Sequence, residues 1–175
     1  TLVDIASGSV PEGLDGRSFR KVIEGKKSKH KECVYGIQTS RGILNGPDHY
    51  GIRSVRDERY CHIRNLTPEA TFQCGVTKQD YFREWQRRGD EGDTFARERA
   101  GLYQTRPAEE LYDVVKDPYQ MHNLAADPAY RKVLDRMRPK LDAWMASQGD
   151  LGAQTELDAT QHLLNNRKKT QNAKQ

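Results

Sequence analysis

Between residues 39 and 53 the chain carries Arg41, Asp48, His49, Tyr50 and Arg53, threaded among the turn formers Gly42, Gly46 and Pro47. A guanidinium presents its donors in a planar fork that matches carboxylate or sulfate oxygens. An imidazole changes charge near neutrality and can hold or pass a proton. The combination suits the binding of an anionic group. On residue type alone, the same side chains also suit an ordinary loop and strand surface.

The other groups capable of chemistry are scattered. Cys33, Cys61 and Cys74 lie far apart, with no C-x-x-C pair and no histidine at zinc-finger spacing. That excludes a closed disulfide framework and a structural zinc site. Cys33 and Cys61 read as small apolar strand residues. Asp90-Glu91-Gly92-Asp93 is acidic but sits in an expected loop, and calcium needs six or more oxygens in a fixed array, so a solvated charge run is the better account. His30, His122 and His162 fall in polar surroundings. His62 alternates with Tyr60 and Arg64 along an expected strand, which points to the surface. Asn65-Leu66-Thr67 matches a glycosylation sequon, but Pro68 follows it and a strand abuts it.

The elements that must position these groups follow from periodicity. Residues 17–24 form a short helix stopped by Gly25, and Lys26 to Lys31 a charged link. Residues 32–38 form a strand with at least one buried face. Residues 52–56 and 59–66 make a hairpin across Asp57-Glu58. Two helical segments fill Lys78 to Gln104, interrupted at Gly89 to Gly92, with Tyr81, Phe82 and Trp85 on one face of the first. A strand over 110–115 ends at Asp117-Pro118, where proline fixes φ, removes a donor and disfavours helix at the residue before it. The last helix has Asp127 as N-cap and Pro128 at its first position. Tyr130, Val133, Leu134, Met137, Leu141, Trp144 and Met145 then recur at helical spacing. Pro139 falls on the opposite face and predicts a bend over 135–139.

The string Arg106-Pro107, Glu109-Glu110-Leu111-Tyr112-Asp113, Asp117-Pro118, Asn123-Leu124-Ala125 resembles the C-terminal signature of the sulfatase family. Val10-Pro11-Glu12-Gly13-Leu14-Asp15-Gly16 upstream is similar to the turn leading out of the catalytic domain in that family. Gly51 to Arg56, Arg59-Tyr60 and His62 to Leu66 are most like the sulfamidases, which remove sulfate from N-sulfoglucosamine. The resemblance covers roughly residues 1–150. It implies an α+β fold: a small antiparallel sheet of about four strands covered by the long C-terminal amphipathic helix. It also implies that residues 1–16 are a helix end and linker from a missing catalytic domain. Residues 17–150 would then be the C-terminal domain, and 151–175 a basic, disordered tail.

Sulfatases hydrolyse sulfate esters or N-sulfates with a formylglycine, made within a C-x-P-x-R or S-x-P-x-R motif, and a calcium ion. Neither motif occurs here: Cys33, Cys61 and Cys74 all lack the proline. The expectation is a piece without cofactors of its own, structural and substrate-orienting rather than catalytic. Its partners would be the catalytic domain and, in the parent enzyme, a sulfated sugar. In sulfamidases the loop corresponding to 39–50 borders the substrate pocket, so Arg41, His49, Tyr50 and Arg53 are expected at its rim. Such enzymes are often periplasmic, extracellular or lysosomal; the chain itself carries no compartment signal.

Composition is compatible with this reading. The 175 residues are 35% hydrophobic, enough for one modest core, and no apolar run approaches a membrane span. A net charge of +4 and a pI of about 8.9 favour a polyanionic partner. No helix-turn-helix, finger or interleaved aromatic–basic pattern points to nucleic acid. The alternative is a stand-alone module that binds a sulfated glycan. Exposed apolar ends and an exposed sheet face would favour the domain reading; a fully covered core with one continuous basic face would favour the module.

Overall fold

The protein is described from a computed structural model over residues 1–14, 16–39 and 50–159. Arg41, Asp48, His49 and the basic tail from 160 onward lie outside the described residues. The chain divides into two units, Thr1–Val34 and Tyr35–Gln175.

The first unit holds two single-turn helices, α1 (Leu2–Ile5) and α2 (Arg20–Ile23). Neither is long enough to be stable alone, and polar contacts tie them together. The Ser18 hydroxyl donates to Asp4 at 2.6 Å, and the Arg20 guanidinium donates to the Asp4 carbonyl at 2.7 Å. Gly25, at φ +68°, ends α2 in the left-handed region. Leu2, Val3 and Ile5 are exposed.

The second unit is built on a four-stranded sheet in the order β1 (Val34–Gln38), β2 (Ile52–Arg56), β3 (Tyr60–Asn65), β4 (Glu109–Asp113). The β2–β3 hairpin is antiparallel with Val55 opposite His62, and β3–β4 is antiparallel with His62 opposite Leu111. The Asp57 carboxylate makes the hairpin turn by accepting from the Arg59 and Tyr60 amides. The face carrying Val55, His62 and Leu111 lies under α5 (Arg131–Ser147), whose Leu134, Met137, Leu141 and Met145 are buried. Asp127 accepts from the Ala129 amide, as expected of an N-cap; Pro128–Tyr130 is a 3-10 turn before α5 begins. On the other face Cys61, Tyr112 and Val114 cluster with Ile63.

Four expectations change. First, β4 ends at Asp113, before 115, because the Asp113 carboxylate accepts from the Val115 and Lys116 amides and offers the backbone a local turn instead of a ladder. Second, β1 buries neither face: Val34, Tyr35 and Ile37 are all exposed, although the other edge strand, β4, is buried. Third, His62 is fully buried, because the row it shares with Val55 and Leu111 lies beneath α5. Fourth, ordered chain runs past 150: residues 153–159 are helical and Glu156 is buried.

After β4 the chain turns back and its side chains fasten the turn. Asp117 accepts from the Met121 and His122 amides. Asn123 then acts as a substitute strand residue. Its Oδ1 accepts from the Leu111 and Ala125 amides, its Nδ2 donates to the Glu109 carbonyl, and the Leu124 amide donates to the Leu111 carbonyl. The Asp-Pro and Asn-Leu-Ala portions of the signature are therefore the two ends of one clasp.

Helices α3 (Asp80–Asp90) and α4 (Thr94–Gln104) form the expected hairpin. Asp93 caps α4 by accepting from Ala96, and Gly92 turns at φ +109°. The two helices approach so closely at Gly89 that an added Cβ would lie 2.8 Å from the Arg97 Cα. Of the apolar residues expected on α3, Phe82 is buried, whereas Tyr81 and Trp85 are exposed.

Candidate functional site

β1 ends at Gln38 and β2 begins at Ile52, and holding these two strand ends together falls to one side chain. The structure assigns that task to Arg53. Its Nη1 donates to the Gln38 and Ile52 carbonyls, each at 3.2 Å, one at each strand end. Its Nε donates to Asp150, and its Nη2 donates to Glu156 at 2.7 Å and to Asp150 at 3.4 Å. All the N–H donors of an arginine are then engaged.

The side chains of Arg53, Asp150 and Glu156 are 2%, 5% and 5% exposed. Charges buried to this degree are tolerated only when paired and hydrogen-bonded. Burial works against the Arg53 charge, but its hydrogen bonds to Asp150 and Glu156 outweigh it and raise its pKa. Burial likewise opposes the Asp150 charge, but Arg53 and the Gly152 amide together hold its pKa below the usual carboxylate value. Gly51 makes room for this network: a Cβ there would sit 2.7 Å from the Glu156 Cγ.

Tyr50, at 2% exposure, packs its ring against Phe72 at 5.1 Å. Phe72 meets Tyr103, which meets Phe82, so an aromatic column runs from this point to α3. Burial raises the Tyr50 phenol pKa. Gln38, Tyr50, Ile52, Phe72, Tyr103 and Arg106 enclose a small hollow of about 80 Å³.

Tyr50 and Arg53, expected at a pocket rim, are both buried in this structure. Every Arg53 N–H donor is engaged within the chain. Arg41 and His49 lie outside the described residues. Asp150 and Glu156 had escaped sequence reasoning, because their surroundings are polar and lack periodicity. The available signal was Arg53 itself, an arginine next to the alternating Ile52, Ser54 and Val55, which needs carboxylates if its strand face is buried.

A second buried cluster sits under α5. His62 Nε2 is 2.7 Å from Glu109 Oε1, and Arg138 pairs with the same carboxylate. Burial lowers the His62 pKa, opposed by Glu109. The neutral ring therefore donates from Nε2, and its Nδ1 is a buried acceptor without a partner. Hydrogen bonds from Arg138 and His62 hold Glu109 down to about 2. Cys61 is a free thiol whose pKa is pushed up by burial. Neither this cluster nor the Arg53 network has the make-up of a calcium site. Among the described residues no group of three or more His, Cys, Asp or Glu could hold a metal ion, and no helix is long and apolar enough to cross a membrane.

No protein-family model matches the chain. Individual proteins do. An ulvan-active sulfatase of Formosa agariphila is 33% identical over 151 residues, 86% of this chain and 28% of that protein. A Δ4,5-hexuronate-2-O-sulfatase of Bacteroides thetaiotaomicron is 40% identical over 167 residues, 94% of this chain and 26% of that protein. Human N-sulphoglucosamine sulphohydrolase is 27% identical over 143 residues, 78% of this chain and 27% of that protein. A solved 2-O GAG sulfatase superposes with a TM-score of 0.55 at 27% identity, covering 86% of this chain and 24% of that one. The chain thus spans about a quarter of the length of each of these proteins.

Proposed function

Because this chain is homologous to the sulfatases, we propose that it is the C-terminal α+β domain of a sulfatase acting on sulfated sugars. Formylglycine and calcium would reside in the catalytic domain: the chain has no C-x-P-x-R or S-x-P-x-R motif, and no group among the described residues could hold a metal ion. This domain would pack on that one and present segment 40–49, with Arg41 and His49, to the sugar.

The observation that carries the reading is the Arg53 clamp, which bridges the two strand ends flanking the segment and is itself fixed by two buried carboxylates. The exposed Leu2, Val3 and Ile5 of the first unit, and the exposed Val34 and Ile37 of β1, favour a domain made to be covered over a stand-alone glycan-binding module.

The relatives' names span three substrates: ulvan, a hexuronate 2-O-sulfate and N-sulfoglucosamine. Identity to the human N-sulphoglucosamine enzyme is lower than to the other two, so a sulfamidase substrate rests on residues 51–66 alone.

The test uses a full-length sulfatase that contains this domain. A hydrogen bond to a charged group contributes about 1.5–3 kcal/mol, so Arg41→Ala or His49→Ala should lower kcat/KM for the sulfated glycan about tenfold to a hundredfold. A small aryl sulfate that does not reach the rim should be turned over as before. Unchanged kinetics on both substrates would return these residues to ordinary surface; equal losses on both would move them to the reacting centre. The isolated chain should hydrolyse neither substrate, and calcium-dependent turnover by it would overturn the non-catalytic reading.

A further inference from the structure

On the sheet face turned away from α5, a cleft of about 440 Å³ opens between α3, α4, β4 and the turn after β4. Its floor is chemically closed. Glu110 accepts from Asn65 Nδ2 at 2.6 Å, from Arg106, and from the Tyr112 hydroxyl at 2.5 Å, so carboxylate and guanidinium balance each other.

Arg99, on the wall, is not balanced. Its Nη1 reaches the Met121 sulfur at 3.3 Å and its guanidinium lies 5.2 Å from the Phe95 ring centre. Its Nε is buried without a hydrogen-bond partner, and no carboxylate pairs with it among the described residues. A thioether is a weak acceptor, and a buried donor left unmade is costly. Trp85 and Tyr119 also line the cleft, and both rings are exposed.

We propose that this cleft binds an anionic sugar unit, with its sulfate or carboxylate on Arg99 and the apolar face of its ring against Trp85 and Tyr119. The volume lies in the range of small-ligand sites. A single unbalanced cation matches one anionic group and does not match a polyphosphate. Flat aromatic faces suit the C–H face of a pyranose. The choice of a sugar rests on the sulfatase reading; the choice of an anion rests on Arg99 alone.

The experiment is a titration of the 175-residue chain, followed at the indole N–H resonances of Trp85 and Trp144. The probes are N-sulfoglucosamine, glucuronate and neutral N-acetylglucosamine. Saturable shifts of Trp85 with either or both anionic sugars, none with the neutral one, and none at Trp144 are the expected result; the two anionic arms tell sulfate from carboxylate. Arg99→Gln should weaken binding about tenfold or more, and Tyr119→Ala, at an exposed position that leaves the fold intact, should weaken it several-fold. Arg131→Gln, an exposed arginine on α5, should change nothing. Equal shifts with all three sugars, no saturable shift, or equal losses in the Arg99 and Arg131 variants would overturn the proposal. Failure here leaves the Arg41 and His49 kinetics untouched, and failure there leaves this titration readable, so the two readings fail separately.

Discussion

Replacing Arg53 by methionine, a side chain of similar length, removes the charge and the donors that Arg53 offers to Asp150, Glu156, Gln38 and Ile52. Two carboxylates with side chains 5% exposed would be left without their cation. Breaking a buried ion pair in this way costs about 3–5 kcal/mol. For a chain of this size each kcal/mol lowers Tm by about 2–4 °C, so Arg53→Met should melt about 6–20 °C below the parent. The same loss should appear as a lower urea midpoint with an unchanged slope. Buried pairs are poorly screened, so added salt should not diminish the difference. The informative control is the triple variant Arg53→Met, Asp150→Asn, Glu156→Gln, which deletes the stranded charges together with the arginine. It should recover part of the loss, because no uncompensated charge is left buried, only amides. A loss below about 1 kcal/mol in the single variant, or no recovery in the triple one, would refute the idea that these charges are buried and mutually dependent.

Gly89→Ala should destabilise by about 1–3 kcal/mol, because its new methyl would meet the Arg97 backbone at 2.8 Å; a urea midpoint equal to the parent's would show that α3 and α4 are not in such close contact. Leu141→Ala, at a fully buried position on the inner face of α5, should cost about 2–5 kcal/mol. Trp144→Ala should cost less, since this partly exposed indole stacks on Tyr35 at 4.8 Å and such a pair adds about 0.5–1.5 kcal/mol to its area burial; the reverse order in denaturation would contradict the packing. Acid should act in two stages. His62 has a folded pKa below its ordinary 6.5, so the unfolded chain binds the extra proton and stability falls as pH drops below about 6.5. Glu109 is held near 2 against an ordinary 4.5, so its contribution is complete above 4.5 and is lost as pH falls from there toward 2. His62→Gln should flatten the first stage in a stability–pH titration and leave the second.

How far each part was legible in the sequence depended on whether a simple period governed it. The hairpin, the α3–α4 pair and α5 obey one-sided patterns with clear stops: Asp57, Gly92, Asp127-Pro128. His62 was misplaced because β3 is covered on both faces. Cys61 and Ile63 mark one buried side, and nothing in Tyr60-x-His62-x-Arg64 announces that α5 covers the other. The end of β4 was misplaced by two residues because the apolar Val114 and Val115 continue the alternation, whereas the Asp113 carboxylate captures the following amides. Asp150 and Glu156 were invisible for a different reason. Their partner lies some hundred residues away on β2, and a long-range ion pair leaves no periodicity in either segment. Arg53 was recognised as a binder of anions; the anions proved to belong to its own chain.

The clasp formed by Asn123 and Leu124 has a consequence for assembly. The outward carbonyls of Glu109, Leu111 and Asp113 and the outward amide of Leu111 are all consumed within the chain, the last carbonyl by the Lys116 and Asp117 amides. Open-ended stacking of sheets into a fibre requires each copy to offer two bonding edges, one to receive and one to pass on. With these groups already engaged, the β4 edge is a poor template for a further strand, and pairing between copies would fall to β1.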